Sequence, residues 1–527
     1  MSALVLACAD GIPGLEPEEW LSLRAADVRV VRGLCRDPDV IARHADGASS
    51  LVLAVCSADL PRGPVQAAVR RAGLDPLGVE IVDLRVAAED IERLILMLEA
   101  AVARAGSFAG SAPENARMIL PKAVTRRALL KLRIAEYVAV PSIEPSRCVA
   151  DRGCRACVEA CPRGAIAFSD AAISIDPARC DPCGLCTIAC PVEAVVDPTV
   201  TPAQLDAQVR ALLDPSIGPR GPRGILFTCR RSLRLETASG WYPVVVPCTG
   251  MAPASWLLAP LLLGAAAVAV RPCGDSRCPL GRDEVVHERV AFSRRLLTAI
   301  GWSEERVATG PVGLPPAPVP GRSSARHDAF EPGAAGHVLL AVAERGTDGH
   351  AFALEHPGSP VGLVEIRASA CTVCGMCART CPTEALAFAP RDGAVEIAFD
   401  GVRCTACGQC VASCPEVARG AIALHRLANR DVLSAGATRL VGSDVAACLR
   451  CGRPVAPLTM LRRVAELLGP EERRMTQFLE SYCLDCRAIR VPVTGERGTA
   501  TDRGDTGTAM TKHRGDEDAG IDHLHTG

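Results

Sequence analysis

Lysine is almost missing. Of the 58 basic residues, only Lys122, Lys131 and Lys512 are not arginine, a bias of genome composition without functional meaning. Aromatic residues make up 3% of the chain, yet 49% of it is hydrophobic, which is enough to build cores. An excess of either charge is also missing. The net charge is −2, which excludes a global basic footprint for nucleic acid. No G-x-G-x-x-G, P-loop, G-x-S-x-G or H-E-x-x-H occurs. Those gaps exclude the common dinucleotide, nucleoside-triphosphate, hydrolase and metalloprotease fingerprints, so no flavin site and no substrate chemistry are expected.

Residues 1–8 lack a basic n-region, and their apolar run is too short for a signal peptide. The stretch 251–270 is long enough to span a membrane. Pro253 and Pro260 interrupt it, however, and Gly264 precedes a β-branched end. It predicts a buried helix, a glycine turn and a buried strand. The expectation is a cytoplasmic chain without a membrane span.

What is abundant is cysteine, with 27 in 527 residues. Three or four domains fit this length at roughly 150 residues each. Disulfide scaffolds belong to small secreted domains, and an odd count fits full pairing poorly.

The cysteines repeat. Cys148, Cys154, Cys157 and Cys161 precede Pro162, and Cys180, Cys183, Cys186 and Cys190 precede Pro191. A second block runs Cys371, Cys374, Cys377, Cys381, Pro382, then Cys404, Cys407, Cys410, Cys414, Pro415. Three thiolates two residues apart wrap one face of a [4Fe–4S] cube, and the C-P step carries the fourth Cys to the other cube. Gly184, Gly375 and Gly408 stand in the loops, where a missing side chain lets backbone N–H groups approach sulfur. Four thiolates also suit zinc, but four triplets each followed by C-P favour clusters. The five residues between Cys148 and Cys154 predict a local bulge.

Both blocks resemble bacterial two-cluster ferredoxins. The resemblance implies four ligand sets: Cys148, Cys154, Cys157 with Cys190; Cys180, Cys183, Cys186 with Cys161; Cys371, Cys374, Cys377 with Cys414; and Cys404, Cys407, Cys410 with Cys381.

Between the blocks, GILFTC (224–229), WYPVVVPC (241–248) and AAVAVRPC (266–273) read as strands ending in Cys, with helices near 254–263 and 287–301. Such alternation implies a parallel sheet, whose carboxyl edge is where ligands bind. Cys248, Gly250, Cys273, Gly274, Asp275 and Cys278 resemble elements of the delta, iron–sulfur subunit of methyl-viologen-reducing hydrogenase. That family has two Cys at its first motif, where this chain has Cys229 and Ser232. The resemblance implies one [2Fe–2S] cluster on Cys229, Cys248, Cys273 and Cys278. Buried structural thiols are the alternative.

Near the N-terminus, ALVLAC (3–8), VRVVRGLC (28–35) and SSLVLAVC (49–56) also read as strands ending in Cys. Cys8, Cys35, Cys56 and the following segment to Arg85 resemble the N-terminal part of the heterodisulfide reductase flavin subunit. That family has a further Cys where this chain has Val86, Ala87 and Ala88. An N-terminal [4Fe–4S] cluster with three Cys, or three buried structural thiols, fit equally. At the C-terminal end, Cys448, Cys451, Cys483 and Cys486 form two C-x2-C pairs about a helix. They read as a zinc site, with a fifth cubane as rival.

The expected fold class is α/β plus α+β. Two Rossmann-like parallel-sheet domains (1–105 and 216–310) alternate with two ferredoxin-like dicluster domains (144–200 and 331–430). A zinc-ribbon-like unit (440–491) follows, with linkers at 106–143 and 311–330 and a disordered tail at 492–527. The resemblances imply an iron–sulfur electron-transfer subunit serving a catalytic oxidoreductase subunit or a soluble electron carrier. The partner enzyme would be of hydrogenase, heterodisulfide-reductase or molybdopterin formate dehydrogenase type. A redox sensor or assembly factor is the alternative.

Overall fold

Short β-branched runs near the N-terminus pair in parallel. Strands Ala3–Cys8, Ala26–Val31, Ser50–Val55 and Glu80–Asp83 form one sheet, with Ala3–Cys8 and Ser50–Val55 at its centre. Those two central strands are almost wholly buried, which is why they read as unbroken apolar runs. The computed structural model describes residues 3–10, 23–24, 26–57, 60, 62–87, 90–119, 136–230, 238–272, 280–314, 329–346 and 351–488. Ser232, Cys273, Gly274, Asp275, Cys278 and the tail 492–527 lie outside the described residues.

Helix Ile91–Gly106 starts at Asp90, whose side chain accepts the Arg93 N–H. It faces two cores at once. Leu94, Leu98, Val102 and Ala105 pack on the N-terminal sheet, while Leu96 and Ala100 enter the core of the middle sheet. Arg104, near its end, pairs with Glu80 at 2.9 Å and donates to Gln208, Val245 O and Thr199 O. The N-terminal and middle layers are thereby joined by apolar burial and a buried guanidinium.

The middle sheet is also parallel, in the order Trp241–Val246, Gly224–Cys229, Ala267–Val270, Val307–Thr309. The stretch 251–270 folds as its residues predict. Helix Ala254–Leu262 is buried on all sides, Gly264 turns the chain at φ +107°, and strand Ala267–Val270 follows. Helix Asp283–Ala299 begins a turn earlier than its apolar pattern suggests, with Asp283 and Glu284 in the first turn complementing the helix dipole. Helix Ala335–Glu344 packs into the same core, and Trp256 Nε1 donates to Phe330 O.

Each ferredoxin-like block is built from short strands around its cysteine loops. Ile166–Ser169 pairs with Ala172–Ile175, and Ser142–Ile143 with Val195–Val196, in the first. In the second, hairpin Leu386–Arg391 with Ala394–Phe399 is extended by strand Thr438–Ala447 and then Pro454–Pro457. The C-terminal cysteine pairs therefore hang on a sheet that begins in the second block. Among the described residues, no helix is long and apolar enough to cross a membrane.

Candidate metal centres

The triplet loops share one local design. Gly184, Gly375 and Gly408 take φ of +74°, +74° and +79° and precede one-turn helices Leu185–Ala189, Met376–Arg379 and Gln409–Ala412. Ala156–Ala160 is the equivalent helix of the first loop, entered instead from Arg155. The predicted bulge is a 3-10 turn, Ala150–Arg152, closed by Gly153 at φ +86°.

Sequence reasoning missed a second feature of these loops. Val373 and Ala406, the residues before the second Cys of each triplet, hold φ of +53° and +52°. This conformation costs of the order of 1–3 kcal/mol for a non-glycine residue and persists only where surroundings impose it. It turns the Val373 N–H onto Cys371 Sγ at 3.4 Å. Further N–H groups serve the fourth cysteines, from Ala165 to Cys161 Sγ at 3.3 Å and from Ala194 to Cys190 Sγ at 3.2 Å. Such donors stabilise negative charge on sulfur.

The thiols gather around cavities. One is lined by Cys371, Cys374, Cys377 and Cys414, with Ile366, Ile397 and Ile422. A second holds Cys381, Cys404, Cys407 and Cys410, with Val364, Leu386 and Phe399. A third holds Cys161, Cys180, Cys183 and Cys186. In the remaining set, burial pushes the Cys157 thiol up to about 12, and charge on Cys190, Cys154 and Cys148 adds to it. Burial and then charge on Cys371, Cys374 and Cys414 likewise push Cys377 up to about 12. Crowded thiols that resist ionisation alone are the environment in which a bound cationic centre replaces protons.

The sets also lie within electrostatic reach of one another. Beyond its own set, Cys186 feels Cys157, and Cys410 feels Cys377. Cys154 of the first block feels Cys407 of the second. The thiol sets therefore follow one line: Cys161/180/183/186, then Cys148/154/157/190, then Cys381/404/407/410, then Cys371/374/377/414.

Residues 147–194 and 370–418 both match the family described as the 4Fe-4S dicluster domain. The chain carries two 4Fe-4S dicluster domains. Residues 230–317 match the family described as methyl-viologen-reducing hydrogenase, delta subunit. No curated protein matches the chain. The chain is thus an iron–sulfur electron-transfer protein, and the four thiol sets of its dicluster domains fit cubane clusters in donor type, number and apolar walling.

Just before the delta-like region, Cys229 ends strand Gly224–Cys229, and within it Cys248 lies just past strand Trp241–Val246, on the same edge of the sheet. Both are buried, and Cys229 Sγ faces Pro247 O at 3.4 Å. A Cβ on Gly184 would lie 2.7 Å from Met251 Sδ, so this edge abuts the first dicluster domain. Arg289 caps the edge by donating to Gly250 O and Ala252 O.

Two further thiol groups converge. Cys8, Cys35 and Cys56 place their Sγ atoms within 4.8 Å of one another, and so do Cys448, Cys451, Cys483 and Cys486. Cys35 sits beyond its strand, which ends at Val31 and not at the cysteine. In the C-terminal group, Gly452 N donates to Cys448 O and Cys448 N to Arg453 O, folding a tight knuckle. Backbone N–H donors, that of Cys483 foremost, pull the Cys448 thiol down to about 6. No disulfide joins any of the described cysteines.

Proposed function

We propose that the chain is the electron-transfer subunit of an oxidoreductase complex, carrying electrons between a catalytic partner and a second carrier. Each of the four thiol sets would hold one [4Fe–4S] cluster. Cys229, Cys248, Cys273 and Cys278 would hold a [2Fe–2S] cluster, and Cys448, Cys451, Cys483 and Cys486 a zinc ion. Such clusters supply one-electron storage at potentials tuned by ligation, hydrogen bonding and burial.

The observation that carries this reading is the single line of four sets across both dicluster domains, joined between Cys154 and Cys407. The chain's own work is to hold thiols in apolar chambers, exclude water and aim N–H donors at sulfur. Met251 against Gly184 sets the delta-like edge beside one end of that line. The other end lies under the C-terminal unit, where Thr459 Oγ1 donates to Thr372 O. The delta-like match supports an oxidoreductase partner, for which a hydrogenase, a heterodisulfide-reductase-like enzyme or a molybdopterin formate dehydrogenase is our proposal. Cysteine-rich packing without disulfides among the described residues fits a reducing compartment such as the cytoplasm.

The test is an anaerobic reductive titration of the full chain. Reversible uptake of several electrons, with cubane EPR signals and delivery to an added acceptor, supports the reading. Bound iron that is not reversibly reduced contradicts it and favours a sensor or assembly role.

A further inference from the structure

Among the described residues, the clustered thiols fall into two kinds. The dicluster sets are spread around cavities. The C-terminal four are tight, with Cys451–Cys483 and Cys451–Cys486 sulfur separations of 3.6 and 3.7 Å. A tetrahedral ion with metal–sulfur bonds of about 2.3 Å sets its ligands about 3.8 Å apart. The N-terminal trio belongs to the tight kind. Cys56 Sγ lies 3.4 Å from Cys8 Sγ and 3.4 Å from Cys35 Sγ. Those separations far exceed a disulfide bond of about 2.05 Å.

The trio is also built rather than incidental. Cys8 ends one central strand of a parallel sheet, and Cys56 follows the other. Cys35 is brought over them by the loop after Ala26–Val31, and its sulfur accepts the Cys56 N–H at 3.3 Å. Gly33, at φ +75°, fixes that loop by donating its N–H to Asp10 Oδ2 at 2.9 Å. This is the carboxyl edge, where sheets of this type hold ligands. Cys8 is buried, whereas Cys35 and Cys56 are only half-buried, so one side of the group faces outward.

We propose that Cys8, Cys35 and Cys56 form a mononuclear site for a thiolate-selecting divalent ion, zinc foremost, and not a cubane site. Three sulfurs bind from the sheet side. The fourth position faces outward and takes an oxygen or nitrogen donor, as in zinc sites that keep an exchangeable ligand.

The site goes beyond the electron-transfer reading and is tested separately from it. Full-length protein and its Cys56→Ser variant are purified anaerobically, and metals are counted in both. The expected result is loss of one zinc per chain with iron unchanged. Loss of about four iron atoms, one cubane's worth, with zinc unchanged overturns the proposal, as does no change in either metal. A second variant, Cys448→Ser with Cys451→Ser, leaves the N-terminal domain intact. It should retain one zinc, whose X-ray absorption shows three sulfurs and one lighter donor. No retained zinc, or four sulfurs around it, overturns the proposal. Total iron in the same samples reports on the dicluster domains independently.

Discussion

Cys154 of the first dicluster domain lies beside Cys407 of the second, where charge on Cys407 adds to the rise that burial imposes on the Cys154 thiol. This proximity would make one relay out of two domains separated in sequence by the whole delta-like region. Cys407→Ala should remove about four iron atoms, one cubane's worth. It should also leave the outer Cys371 set without a neighbour, so that one centre loses its spin–spin broadening in the EPR spectrum of reduced protein. Cys371→Ala should cost the same iron but leave all three remaining sets coupled. Equal spectra for the two variants contradict the order of sets.

Gly184 and Gly408 share a positive φ but not their surroundings. A Cβ on Gly184 meets Met251, whereas nothing lies within 4 Å of one on Gly408. Gly408→Ala should cost about 1–2 kcal/mol, the backbone penalty alone. Gly184→Ala should cost about 2–4 kcal/mol, because overpacking adds to it. Combining Gly184→Ala with Met251→Ala should recover part of the difference, a coupling that denaturant titration of the loaded protein measures.

Arg104 is the polar tie between the N-terminal layer and the middle sheet. Its guanidinium is almost fully buried, ion-paired with Glu80 and hydrogen-bonded to Gln208, Thr199 O and Val245 O. Arg104→Met keeps volume and deletes the donors, leaving acceptors unpaired. We expect a loss of about 2–4 kcal/mol, read as a lower denaturation midpoint with iron content unchanged.

The C-terminal knuckles should depend on their ion. Cys483→Ser is expected to lose one zinc, keep all iron, and lose hydrogen-exchange protection across helices Arg473–Ser481 and Leu484–Ala488. Unchanged protection, or a loss of iron, contradicts a zinc site there.

The cysteine runs were legible because their spacing is itself chemistry: three thiolates and a C-P step read the same before and after folding. Helix Ala254–Leu262 and strand Ala267–Val270 were legible because proline and glycine punctuate an apolar stretch. Contacts distant in sequence were not. Nothing local to Cys154 or Cys407 announces their proximity, which depends on how both blocks pack against the delta-like sheet. The left-handed Val373 and Ala406 were hidden for another reason. Neither residue favours that conformation, so only the closed loop imposes it. Strand Thr438–Ala447 likewise carries the C-terminal cysteines on the second block's sheet, a pairing that no turn signal records.

The most direct test of the account is a count of iron and acid-labile sulfide per chain in anaerobically purified protein, with Mössbauer spectra. Four cubane sets and one binuclear site predict about 18 iron atoms, most in the [4Fe–4S] form. Fewer than about eight, two cubanes' worth, with zinc filling the dicluster sets, would contradict it.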